Sequence, residues 1–126
     1  MNKISKLIVW LIWSVFFINL AAFYFSWYWT MPWFDNFMHF LGGFWIVLTL
    51  SWLREKYLFK YFNNTAIFIL SGLVIVGLSW EVFEFLIGAT SDWLANLPDT
   101  VSDLIFDMLG GLAAYLYLFR SNRITK

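Results

Sequence analysis

Apolar residues fill four long runs with short polar stretches between them: Leu7 to Trp29, about Asp35 to Leu53, Ala66 to Gly88, and about Val101 to Phe119. Each is close to the roughly 20 residues a helix needs to cross a bilayer core. Lipid offers no hydrogen-bond partners, so a spanning backbone must satisfy its own, and at these lengths only helices do so. The pattern predicts an all-α integral membrane protein, a four-helix bundle forming a single membrane domain over 1–126. The first run follows Lys3 and Lys6 as a secretory signal would. It is too long for one, and Phe23, Tyr24 and Phe25 follow Ala21 and Ala22 where small residues should continue, so a retained helix is expected.

Composition strengthens this reading. Of 126 residues, 62% are hydrophobic and 13% charged, too apolar for a soluble domain of this size to hide in one core. Fifteen Phe, nine Trp and six Tyr suit helix packing and headgroup boundaries. No Cys is present, so a bound metal would need oxygen and imidazole ligands. The formal charge is zero, and no basic stripe suggests nucleic acid.

The basic residues give a direction. Lys3 and Lys6 precede the first run; Arg54, Lys56 and Lys60 lie between the second and third; Arg120, Arg123 and Lys126 end the chain. All eight fall on one side of a four-span alternation, which predicts both termini in the cytoplasm of a multi-pass cell-membrane protein. Trp27, Tyr28, Trp29, Trp33 and Trp93 then form an outer aromatic belt, and Trp52, Tyr57, Tyr61 and Tyr117 an inner one.

On that orientation Glu55 is the only acid inside, while Asp35, Glu81, Glu84, Asp92, Asp99, Asp103 and Asp107 occupy the outer half without any Lys or Arg. Asp35 and His39 are four residues apart, Glu81 and Glu84 three, and Asp99, Asp103 and Asp107 four, so each set shares a helix face. At about 1.5 Å per residue, Glu81 and Asp107 reach similar depths, roughly 10 Å below the outer ends of their helices. An ionised carboxylate facing hydrocarbon costs several kcal/mol, and no cationic side chain is at hand to offset it.

Two solutions remain: proton uptake by some of the carboxyls, or a bound cation that neutralises several together. The cation is favoured, a divalent metal held by Asp35, His39, Glu81, Glu84, Asp99, Asp103 and Asp107, with His39 as base or ligand. The carboxylate excess leans toward the harder ions. Plainer roles compete. Asp35 has the position of a cap, Thr100 and Asp103 have capping-box spacing after Pro98, and Glu81, Glu84 and Asp107 have the makings of a proton-sharing network. His39 is as well explained as a packed, hydrogen-bonded histidine. Asp92, between Ser91 and Trp93 in a polar loop, is left out of the site.

The second and fourth runs open alike. Asp35-Asn-Phe-Met-His39-Phe-Leu-Gly42-Gly43 and Asp103-Leu-Ile-Phe-Asp107-Met-Leu-Gly110-Gly111 match in pattern and spacing. As an internal repeat, this would be a duplicated helical hairpin with His39 facing Asp107 across the bundle. The glycine pairs, and Gly110 with Ala114, predict close helix approach one turn deeper.

These motifs, Asp35 to Phe40, Glu81 to Glu84, and Asp103-x-x-x-Asp107-x-x-Gly110, resemble those of VanZ-like and YjdF-like small membrane proteins. The resemblance covers three of the four runs. VanZ-like chains usually carry Gln and Asn where Glu84 and Asp107 stand, so this more acidic chain looks closer to the YjdF-like ones. The resemblance implies a cell-envelope location and supplies no substrate.

Three functions fit the residues. One is a metal-dependent enzyme or binding protein acting on envelope lipids or lipid-linked headgroups, with the metal on Glu81, Glu84, Asp103 and Asp107. A second is a proton- or cation-coupled transporter, and a third a structural or accessory subunit, in either case as a homo-oligomer or beside a larger membrane partner.

Overall fold

The computed structural model describes residues 3–58, 61, 64–86 and 97–120. Asp92 and Trp93 of the sequence analysis, with Lys60, Arg123 and Lys126, lie outside the described residues.

Helix α1 spans Lys3–Tyr24, and only Ile4 and Ala22 on it are buried. A helix apolar on every side and covered on so little of its surface belongs in lipid. The first run was expected to continue to Trp29, and here the structure corrects it. Ser26 adopts a left-handed conformation, with φ 58 and ψ 33, and a separate short helix α2 follows at Trp27–Thr30. The left-handed residue turns the chain, and Tyr28 comes back to donate its hydroxyl to Asn19 Oδ1 at 2.6 Å.

Helix α3, Phe34–Leu53, runs on through a π-helical turn at Arg54–Leu58. α4 covers Thr65–Leu86 and α5 Leu97–Arg120. α5 starts four residues before the expected Val101, with Pro98 in its first turn, where the missing amide hydrogen costs nothing. All described elements are helical, and α1, α3 with its π-turn, α4 and α5 are each long and apolar enough to cross a membrane.

α3 is the hub. It packs on α1, α4 and, most extensively, α5. α3 and α5 run parallel, because Asn36 meets Ser102, Phe40 meets Gly110 and Val47 meets Gly111 in the same order along both. α4 runs the other way, with Leu73 against Gly111 and Gly77 against Asp107.

Glycines make the α3–α5 contact possible. A Cβ on Gly43 would run into the backbone carbonyl of Asp107, and one on Gly110 into that of Phe40. The two backbones therefore touch, as the glycine pairs predict. Below this contact the core is apolar, built from Ile46, Val47, Leu48, Ile69, Leu73, Ala114 and Leu118. Trp45 spans to α1 by donating its indole N–H to the Ile8 carbonyl at 3.1 Å.

Candidate functional site

The polar residues collect where α3 and α5 begin and α4 ends, the opposite end from Arg54 and Lys56. Asp35 lies in the first turn of α3 and His39 one turn further in. Asp103 and Asp107 occupy successive turns of α5, both buried. The parallel pairing of the helices turns these two faces toward each other.

His39 is the centre. Its Nδ1 lies 3.4 Å from Asp107 Oδ1. Its Nε2 lies 3.8 Å from Asp103 Oδ2 and 3.9 Å from Asp35 Oδ1. One ring thus faces carboxylates with both nitrogens. Exposure is graded across the group: the side chain of Asp35 is 36% accessible, that of Asp103 3%. Asp103 Oδ1 is buried and has no hydrogen-bond partner among the described residues.

The Asp107 carboxylate is wedged between helices. Its Oδ2 lies where a Cβ on Gly77 of α4 would come within 2.9 Å, and its Oδ1 faces Gly42 at 3.9 Å by the same measure. Gly77 was not singled out in the sequence, since a lone glycine in an apolar run carries no signal of what it faces.

Glu81 is buried on α4 and accepts a hydrogen bond from the Thr100 hydroxyl at 2.8 Å, while its Oε1 is buried without a partner among the described residues. It is near enough to His39, Asp107 and Asp99 to feel their charges. Thr100 therefore does not form a capping box with Asp103. Both lie inside α5, and the hydroxyl serves Glu81 instead.

Glu84 is drawn elsewhere. Its Oε1 accepts the indole N–H of Trp80, one turn back on its own helix, at 2.9 Å. It stays half-buried, within electrostatic range of Glu81, Asp35 and His39. Asp99 is exposed in the first turn of α5, and Asp35 makes no side-chain cap, the N-cap of α3 being Trp33. Tyr28 hangs over this end of the molecule. Burial, and then the charges of Asp35 and Glu84, push its hydroxyl from the ordinary 10.0 up to about 12.

Asp35, His39 and Asp103 offer ligand atoms that all lie within 4.8 Å of one another, so these three could hold a metal ion. Two carboxylates with an imidazole, one member open to the exterior, form a donor set for a divalent ion with exchangeable positions.

The profile of the family described as "Predicted membrane protein (DUF2238)" matches residues 1–123. The chain belongs to this family. Within this DUF2238 protein the buried ionisable groups among the described residues, Arg54 apart, all lie at the acidic end. Comparisons with curated proteins and with solved structures returned no match.

Proposed function

We propose that this membrane protein binds a divalent cation through Asp35, the Nε2 of His39 and Asp103, with Asp107 as the group that orients the imidazole. The observation that carries this is Asp103: a nearly inaccessible carboxylate, 2% exposed, with one oxygen lacking a hydrogen-bond partner among the described residues. No Lys or Arg occurs in residues 7–53 or 61–119. A buried charge left in that condition costs several kcal/mol, and an ion drawing on several carboxylates offsets it.

Asp107 supports the same reading from the other side of the ring. A metal-binding histidine usually donates its second N–H to a carboxylate, which fixes the tautomer and makes the ligating nitrogen more basic. Asp107 beside Nδ1 leaves the Nε2 lone pair for the ion. Among harder ions of six or more positions, three protein ligands leave room for water or substrate on the half-exposed Asp35 side.

We place the site in the outer half of the cell membrane with both termini cytoplasmic, on the strength of the basic-residue asymmetry. Metal-dependent action on envelope lipid headgroups is the use such a site supports best, in keeping with the VanZ-like and YjdF-like motifs. A transport path has less support. Among the described residues the buried cluster that includes Val47, Leu73 and Ala114 is apolar, and the interlocked backbones of α3 and α5 resist rocking apart.

The test is elemental analysis of protein purified gently in detergent, beside Asp103→Asn. Close to one divalent ion per chain is expected in the wild type and a large loss in the variant. A wild type without bound metal, and without affinity for added Mn²⁺ or Zn²⁺, would leave the proton-sharing network as the account of these acids.

A further inference from the structure

α4 is the loosest partner of the site. Only Ile69, Leu73, Gly77 and Glu81 on it are buried, one residue every four along a single line, and most of the rest of the helix is exposed. The last member of that line is a carboxylate. Glu81 is 7% exposed, with one oxygen held by Thr100 and the other buried without a partner among the described residues. A polar atom in that state calls for a partner.

The ion site lies one turn further along α5 from the Thr100 that holds Glu81. Thr100 is three residues before Asp103 on α5, about 4.5 Å along the helix axis, and both are buried. Glu81 is not among the three residues whose ligand atoms already lie within 4.8 Å of one another, but it is close enough to His39 to feel its charge. The Glu81 side chain has three rotatable bonds, so its carboxylate can turn while the backbone stays in place.

We infer that Glu81 supplies a fourth ligand from α4, so that loading the Asp35, His39 and Asp103 site fastens α4 to the α3–α5 pair. This rests on the cation-binding reading above. Three ligands come from two helices already locked by their glycines, so the ion adds little order there. The fourth comes from a helix held along one line, and occupancy is transmitted to it. Position and docking of α4 become the molecule's report of whether the site is filled.

The experiment uses the full chain in detergent micelles titrated with Co²⁺, whose visible absorption reports coordination number and ligand type. Glu81→Gln keeps the shape and the Thr100 contact. It is expected to weaken Co²⁺ binding roughly tenfold or more, to change the spectrum of the bound ion, and to abolish the ion-dependent slowing of hydrogen exchange at the α4 amides from Gly77 to Leu86 seen in the wild type. Thr100→Val, which removes only the hydroxyl, should bind Co²⁺ nearly as the wild type does and retain that protection.

If the wild type binds Co²⁺ and Glu81→Gln matches it in affinity, spectrum and α4 protection, the fourth-ligand inference is overturned while the three-residue site stands. Equal losses in Thr100→Val and Glu81→Gln would also overturn it, because the helix contact and not ligation would then be responsible. A wild type that binds no Co²⁺ defeats the underlying reading itself.

Discussion

His39 and Asp107 face each other at 3.4 Å across the α3–α5 contact, and they are the fifth residues of the two matching nine-residue stretches. Gly43 and Gly111, the ninth residues, are also opposed: a Cβ on Gly111 would lie 3.8 Å from the Gly43 carbonyl. Equivalent positions meeting one another is what an axis running between two parallel helices produces.

Asp107→Asn keeps the size of the side chain but removes its charge. With Asp107 as orienting group and not ligand, metal affinity should fall about 10- to 100-fold while stoichiometry at saturation stays unchanged. Isothermal titration with Mn²⁺ checks this. Loss of stoichiometry would instead make Asp107 a ligand.

Gly43→Ala and Gly110→Ala each force a methyl group onto a backbone carbonyl that cannot rotate away. Each should destabilise the protein by about 3 kcal/mol, the upper end of ordinary overpacking, measured by thermal unfolding in detergent. Gly72→Ala meets only the Leu50 side chain and should cost about 1 kcal/mol or less.

How far these contacts were legible in the sequence differs from residue to residue. The four spans could be read because lipid demands length and apolarity, both plain in a linear string. The meeting of His39 with Asp107 could be read because two helices entering from the same end with the same spacing present the same face at the same depth. The fate of Glu84 could not. A carboxylate three residues from Glu81 reads as one more member of the cluster, and only its rotamer, bound to the Trp80 indole, takes it out of the group. Thr100 had the spacing of a cap, and a hydroxyl bond to a residue 19 positions away leaves no local trace. The break at Ser26 was equally silent, since left-handed turns usually announce themselves by Gly or Asn.

The chain lacks cysteine, so single replacements make clean topology probes. Thr30→Cys, at the acidic end, should react with a membrane-impermeant maleimide added to intact cells, and Tyr61→Cys, at the other, should react only after permeabilisation. The reverse pattern would invert the orientation and move the site to the inner leaflet.

Tyr28 gives a pH signature. Its hydroxyl titrates near 12 in the folded protein against an ordinary 10.0. Between those values the unfolded chain loses the proton and the native one keeps it. The contribution of Tyr28 is therefore fully present below pH 10 and is lost as pH rises toward 12. Tyr28→Phe should lose about 1 kcal/mol at neutral pH with the Asn19 hydrogen bond and show a shallower decline in stability over that alkaline window, followed by denaturant unfolding at several pH values.

The parallel pairing of α3 with α5 has a consequence for biosynthesis. Two helices that enter from the same side cannot be neighbours in the chain, and here α4 must cross back before α5 exists. Until then Asp35 and His39 sit in a half-made bundle without Asp103 and Asp107 facing them. The cluster around His39 closes only once α5 has been made and inserted, so a product stalled before α5 carries the histidine without its two buried aspartates.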